Sequence, residues 1–496
     1  MMNDSGKSDG FVVPAKPRNK AGHPAADAVE ERSPTKGNTP QATTHRTQRR
    51  ARVSSDLMRV REAARRDRKM RFTALLHHVT IDRLRESFLG LSRDAAPGAD
   101  GVTWNMYKRE LEVNLENLHA RVHRGAYRAR PTRRVFIPKA DGRLRPLGIA
   151  ALEDKVVQGA VAEVMNAIYE VDFLGFSYGF RQGRSQHDAL DALSVALRKK
   201  VSWVLDADIR GFFDELDHGW LMKFIEHRIA DKRLLRLLRK WLKAGVMEQG
   251  KRVATERGTP QGATISPLLA NIYLHYALDL WVQQWRNRPA RGDMVIVRYA
   301  DDFVLGFQHQ RDAKEFVRNL QDRLQRFRLE LHPTKTRLLE FGRFATRSRA
   351  RRGAGKPESF NFLGFTHYCG TTQAGWFRVH RQPMRERMRE RLRTIKIALF
   401  RRRHLPIPVQ GAWLARVLRG YFAYFAVPGT VHLLGRFRSE VEHLWRRALS
   451  RRSQRGGIIW ARMRRLSDRW LPKARILHLW PDQRFNARTR GRSPVR

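Results

Sequence analysis

The chain has 496 residues, a single cysteine, and 98 Lys+Arg against 48 Asp+Glu, a formal charge of +50. Cys369 alone excludes a disulfide framework and any multi-cysteine zinc site, while a charge so far from neutrality points to a polyanionic partner. With 42% hydrophobic residues and 12 tryptophans the chain has apolar material for two or three domains and is not simply a basic tail.

Residues 1–52 are rich in Pro, Gly, Ala, Thr and charge, lack periodicity, and read as a disordered basic extension. From 53 to 96 the pattern is helical and very basic, with Leu75, Leu76, Val79, Leu84, Phe88 and Leu91 at spaced apolar positions. Between 97 and 200, strand signals such as Arg134-Val135-Phe136-Ile137 mix with helical ones, among them the run from Ser185 through Leu190, Leu193 and Leu197. Val204-Leu205-Asp206-Ala207-Asp208-Ile209 then reads as a strand that delivers Asp208 just before Gly211, Phe212 and Phe213. Alternation puts Asp206 and Asp208 on one face, whereas Asp214 reads as a turn or helix-start carboxylate.

Ser266-Pro267 predicts a helix start, with Ser as the cap and Pro in the first turn. The following stripe of Leu268, Leu269, Ile272, Tyr273, Tyr276, Leu280 and Trp281 reads as core. Next, Met294-Val295-Ile296-Val297 and Phe303-Val304-Leu305 flank Tyr299-Ala300-Asp301-Asp302, a predicted hairpin with adjacent carboxylates at its tip. Two like charges side by side are unfavourable, so a bound cation explains them, although a solvated acidic turn has the same spacing. If the Asp208 strand lies beside this hairpin, three carboxylates converge, and that donor set suits two Mg²⁺ ions acting in nucleotidyl transfer. Arg343 to Lys356 reads as a basic mobile loop. From about 380 onward the pattern is helical: Leu433, Leu434, Phe437, Val441, Leu444, Trp445 and Leu449 recur at three- and four-residue steps. Beyond 446, Lys and Arg surround Trp460, Trp470 and Trp480. This reads as a surface for phosphate contacts and base stacking, or as a basic exposed face around buried tryptophans.

The ordered succession of Pro97-Gly98-Ala99-Asp100-Gly101-Val102, Ile137-Pro138-Lys139, Arg143-Leu144-Arg145-Pro146-Leu147-Gly148-Ile149 and Tyr178-Gly179-Phe180-Arg181-Gln182-Gly183-Arg184-Ser185 resembles the reverse transcriptase and maturase proteins of group II introns. The resemblance continues through Asp208-Ile209-Arg210-Gly211-Phe212-Phe213, Gly258-Thr259-Pro260-Gln261-Gly262 with Ser266-Pro267, the Tyr-Ala-Asp-Asp turn and Phe360-Asn361-Phe362-Leu363-Gly364-Phe365, and spans about Leu75 to Phe485. Val417-Leu418-Arg419-Gly420-Tyr421-Phe422 matches the maturase signature, whereas Gln182 stands where the family commonly has Pro.

The resemblance implies an α+β right-hand polymerase followed by an all-α thumb. Its parts would be a template-binding extension (53–96), fingers (97–200), a palm (201–368), a helical thumb or maturase domain (369–475) and a basic tail (476–496). It assigns catalysis to Asp208, Asp301 and Asp302, which with the Ile209 carbonyl would hold two Mg²⁺ ions. Lys139 and Arg145 would grip the incoming triphosphate, Phe213 would exclude a 2′-hydroxyl, and Gln261 would contact nucleotide and template. Lys335 is implied as a general acid on the pyrophosphate. Surface cations, a core phenylalanine and a solvated turn lysine are the plain alternatives for Lys139 and Arg145, Phe213 and Lys335. RNA contacts are expected at Arg181, Arg184, Arg419, Tyr421, Arg446, Arg447, Arg451 and Arg452.

The implied partners are group II intron RNA, a DNA target and primer, and dNTPs, with the protein a monomer or homodimer. The absence of a signal peptide or membrane-length apolar run makes a bacterial cytoplasm the expected compartment. The paired cysteines of the endonuclease segment found in many relatives are missing, so no such domain is expected. Two other readings stand beside the polymerase: a noncatalytic splicing cofactor, and a reverse transcriptase repurposed for bacterial defence.

Overall fold

The computed structural model describes residues 56–138, 144–248, 251–259, 262–287, 289–452 and 457–489. The extension expected over 1–52 lies outside them. The described chain opens with helix α1 (56–66) and a single 3₁₀ turn, Leu76–His78, followed by α2 (Ile81–Leu89). Leu75, Leu76, Val79, Leu84 and Phe88 are all buried, as their spacing predicts. Asp231 ties this extension down by accepting the Leu75 and Leu76 amides at 2.7 and 2.9 Å.

Helices α3 (Trp104–Lys108) and α4 (Leu111–His123) lead into the hairpin β1 (Thr132–Pro138) and β2 (Leu144–Ile149). Helix α5 (Leu152–Asp172) is apolar almost all round, with Val156, Val157, Ala160, Val161, Val164, Met165 and Ile168 buried, and so runs through the interior. Ser185 starts α6 (Gln186–Leu197) with a capping box closed by Asp188. Strand β3 (Trp203–Asp208) is followed by α7 (Phe212–Glu215), α8 (His218–Glu226) and α9 (Lys232–Leu242), then the short hairpin β4 (Val246–Glu248) and β5 (Lys251–Val253). β4 pairs in parallel with β1, giving the order β2-β1-β4-β5. The strand signals read near residue 134 thus join a sheet that takes half of its strands from beyond residue 245, a pairing across more than 100 residues that local pattern does not reveal.

Helix α10 (Ser266–Leu274) passes through a π-helical turn (His275–Asp279) into α11 (Leu280–Asn287). Ser266 does not cap α10 as expected. It is the first helical residue, Ile265 precedes it, and Pro267 still occupies the first turn. Strands β6 (Met294–Tyr299) and β7 (Asp302–Phe307), helix α12 (Gln310–Arg326) and strand β8 (Arg337–Glu340) complete an antiparallel sheet of order β6-β7-β3-β8. Helix α6 packs on β6 and β7 while α12 covers β3 and β7, so most apolar residues of these strands are buried.

The basic stretch expected as a loop contains helix α13 (Ala345–Arg351), fixed by Arg349 and Arg352 against Glu340 and by Arg349 against Glu358. Strands β9 (Phe360–Phe362), β10 (Phe365–Thr371) and β11 (Phe377–Pro383) form a third sheet, so the purely helical region begins at residue 385 and not at 369. It comprises α14 (Arg385–Arg401), α15 (Ile407–Phe425), α16 (Val431–Ser450), α17 (Trp460–Trp470) and α18 (Pro481–Thr489). Leu434, Phe437, Val441, Trp445 and Leu449 form the buried stripe of α16. Helix α18 and the segment before it return to α6, where Arg484 reaches Asp188 and Asp191 at 3.3 Å each and His478 stacks on His187. Among the described residues no helix is long and apolar enough to cross a membrane.

Candidate active site

Antiparallel pairing of β3 with β7 sets Asp208 directly opposite Asp302, and pairing of β6 with β7 sets Asp302 opposite Tyr299. The two-residue connection Ala300-Asp301 closes the hairpin, so Asp208, Asp301 and Asp302 meet at one end of the sheet. The Asp302 carboxyl is pushed well above its ordinary range, first by loss of solvent and then by the negative charges of Asp206, Asp301 and Asp208. Asp206 is raised to about 6, chiefly by burial, with Arg337 3.6 Å away opposing the shift. Asp208 has a cationic partner: Lys335 Nζ donates to its Oδ2. Backbone contacts bring Lys335 there, because Ile209 bridges to Leu331 and the His332 amide donates to the Asp208 carbonyl at 2.8 Å. Among the described residues, no three His, Cys, Asp or Glu side chains already stand as a metal cage.

The turn itself is held from behind. Ala300 has φ +56°, a left-handed conformation that costs an L-residue roughly 1–2 kcal/mol. Arg298, fully buried, donates from Nη1 to the Ala300 carbonyl at 3.0 Å and to Asn271 Oδ1 at 3.1 Å. Its Nε and Nη2 grip the two oxygens of the equally buried Asp279 at 2.7 and 2.6 Å, and Nη2 also reaches Ser177 Oγ at 2.7 Å. Asn271 Nδ2 donates in turn to the Gly179 carbonyl at 2.8 Å. Gly179 lies so close beneath the turn that a Cβ there would sit 2.4 Å from the Ala300 nitrogen.

On the other side of Asp208, Gly211 takes a left-handed φ of +55° and starts α7. Phe212 is buried against Tyr273, and Phe213 packs edge-on to Phe212 with part of its surface exposed. The Thr259 amide donates to the Phe213 carbonyl at 2.8 Å, which ties Thr259 to the backbone of α7. Lys139 and Gln261 lie outside the described residues. The backbone of Arg145 pairs with Ile137 in the β1–β2 hairpin.

Several residues expected to meet RNA are tied into the fold instead. Arg181 is buried, paired with Glu170 at 2.8 Å, and donates to the Leu174 and Ser177 carbonyls. Arg184 donates to the carbonyls of Gly175 and Ser177 and lies over Tyr178. Tyr421 is buried and stacked on Phe437 at 3.8 Å. Arg452 is tied to the Arg403 and Leu405 carbonyls, and Arg446 to the Ile458 carbonyl and the Trp460 face. Arg419, Arg447 and Arg451 are exposed. Arg181, Arg184, Arg446 and Arg452 each donate to backbone carbonyls, a role invisible in a count of positive charges.

A family model described as reverse transcriptase (RNA-dependent DNA polymerase) matches residues 137–367, the span carrying every candidate carboxylate. Protein YkfC of Escherichia coli (strain K12) is 39% identical over 274 residues, covering 48% of this chain and 71% of that protein. The group II intron-encoded protein LtrA of Lactococcus lactis subsp. cremoris is 40% identical over 185 residues. This chain belongs to the group II intron reverse transcriptase family. The LtrA match covers 36% of this chain but only 31% of LtrA. An uncharacterized 91 kDa protein in the cob intron of Schizosaccharomyces pombe is 41% identical over 157 residues, 32% of this chain and 19% of that protein.

In this reverse transcriptase family member, sequence reading missed Arg298, Asp279 and Arg387. Arg387, on α14, is near enough to Asp302 to lower its pKa slightly against the dominant upward shift. The signal for the first two was present: a lone Arg closing a four-residue apolar strand run, and a lone Asp inside an apolar helical stripe. Opposite charges in two apolar contexts are costly unless they meet.

Proposed function

We propose that this chain is an RNA-directed DNA polymerase whose active centre is Asp208, Asp301 and Asp302, and that its helical region also binds group II intron RNA to assist splicing and mobility. The observation that carries the polymerase reading is the cross-strand register setting Asp208 against Asp302 with Asp301 at the same tip. The donor set suits Mg²⁺: its groups are hard carboxylate oxygens, and Asp302, lifted first by burial, is lifted further by neighbouring negative charges whose repulsion a divalent cation would relieve. Asp208, Asp301, Asp302 and the Ile209 carbonyl would hold two such ions, which when bound lower the pKa of a primer 3′-hydroxyl and stabilise charge on the departing pyrophosphate.

The chain's own groups do the positioning. Phe213, fixed between Phe212 and the Thr259 amide, would pack against the deoxyribose and leave no room for a 2′-hydroxyl. Lys139, Arg145 and Gln261 would orient the triphosphate and the templating base, since fixed cations stabilise the charge that develops there. Lys335 holds a proton beside Asp208 and, once released from it, would donate that proton to pyrophosphate. Exposed Arg419, Arg447 and Arg451 belong to the strongly basic helical region that would contact RNA phosphates.

Primer extension on an RNA template with dNTPs and Mg²⁺, comparing the wild-type chain with Asp301→Ala, tests the reading alongside binding to intron RNA. Loss of synthesis in the variant with RNA binding retained supports it. A wild-type chain that binds RNA but makes no DNA would instead favour the splicing-cofactor alternative.

A further inference from the structure

We propose that Arg298, aimed by Asp279, is a positioning residue for the acidic turn: its guanidinium holds Ala300 in the left-handed conformation and so sets where Asp301 and Asp302 present their carboxylates. The proposal rests on the polymerase reading of that turn.

All five N–H groups of Arg298 are used. Four fix the guanidinium itself, through the two Asp279 oxygens, Asn271 and Ser177, and the fifth, on Nη1, goes to the Ala300 carbonyl. A planar fork gripped on its other edges has no freedom to turn away from that carbonyl. The carbonyl belongs to the one residue of the turn that has left-handed backbone without being glycine. A β-carbon disfavours that conformation, so something must hold it.

The partner is set by an irregularity of its own. Asp279 ends the π-helical turn His275–Asp279 between α10 and α11. A π turn takes in one residue more than an α turn and rotates the succeeding residues by roughly 100° relative to an unbroken helix. That rotation aims Asp279 inward at Arg298 from a helix whose neighbouring residues Ala277 and Leu278 are core. Asn271, about two turns earlier on α10, bonds both the Arg298 guanidinium and the Gly179 carbonyl, and so joins the helix to the segment beneath the acidic turn. A buried ion pair adds no stability that well-packed apolar side chains of similar volume could not supply. Its use beneath an acidic turn therefore argues for orientation.

The test is the double variant Arg298→Met/Asp279→Leu, which removes both charges together and leaves neither unpaired, with Ala300→Gly added as a rescue. The double variant is expected to unfold near the wild-type temperature and to bind RNA as tightly as wild type. Its kcat for primer extension should fall about 100-fold with little change in KM for dNTP. Mn²⁺ binding, read by calorimetry, should weaken at least tenfold. Ala300→Gly in the same background should recover a tenfold or larger share of both losses, because glycine adopts positive φ without a clamp. A folded double variant with wild-type kcat and Mn²⁺ affinity would overturn the proposal, as would losses that Ala300→Gly leaves untouched. If the double variant does not fold, Arg298→Lys keeps the charge opposite Asp279 but loses the fork, and wild-type kcat and Mn²⁺ affinity in that variant would overturn the proposal equally. A wild-type chain without polymerase activity would refute the polymerase reading instead, and the Mn²⁺ measurements would still decide whether Arg298 sets the turn.

Discussion

Gly179→Ala probes the closest approach in the site. The added Cβ would lie 2.4 Å from the Ala300 nitrogen, 3.0 Å from the Tyr299 carbonyl carbon and 3.2 Å from Ala300 Cα. All three are backbone atoms, so no flexible side chain can absorb the clash. Ordinary contact begins at 3.4 Å, and the turn must retreat by about 1 Å to restore it, since van der Waals repulsion rises steeply below contact. The segment cannot yield instead, because Asn271 holds the Gly179 carbonyl and the Tyr178 amide donates to the Arg298 carbonyl. Overpacking of this kind costs about 1–3 kcal/mol, offset in part by the roughly 0.4–1 kcal/mol that alanine takes from the unfolded chain's entropy. The catalytic effect should be the larger. A misplacement of about 1 Å costs roughly 100-fold in rate, or about 2.7 kcal/mol of barrier. Steady-state primer extension with thermal unfolding in parallel separates the two. A variant with kcat within about twofold of wild type and an unchanged unfolding temperature would falsify the claim that Gly179 fixes the turn.

Gly435 on α16 makes the opposite case: a Cβ there meets nothing within 4 Å, so Gly435→Ala should stabilise the protein by about 0.5–1 kcal/mol, seen as a higher denaturant midpoint with unchanged activity. His187 is buried and lowered to about 3, mainly by loss of solvent, from an ordinary value of 6.5. With the folded value below the unfolded one, its contribution is complete above about pH 6.5 and is lost as pH falls toward 3, at about 1.4 kcal/mol per unit. His187→Gln should therefore flatten the decline of stability between about pH 6.5 and 4.5, and a decline as steep as wild type would show that His187 is not its source. Binding to intron RNA should weaken steeply with salt, because many phosphate contacts release counterions. A flat dependence would contradict the role given to the basic surface.

The acidic hairpin and the strand carrying Asp208 were each legible in the sequence because each is built from local pattern, whereas their pairing was not. A hairpin signal at Tyr299–Asp302 and a strand ending at Asp208 each fix their own backbone, and alternation fixes which face Asp206 and Asp208 share. The stripe of α16, the helix starting after Ser185 and the buried leucines near residue 76 come from periodicity for the same reason. Tertiary structure alone decided that β4 joins β1, that β10 and β11 carry strand structure past residue 369, and that the basic stretch around Ala345 coils against Glu340. It also decided which arginines stay exposed and which hold the interior together. Charge is a property of a residue, but Arg298 owes its role to Asp279, Asn271 and Ser177 brought up from other elements, and only the folded chain sets those distances.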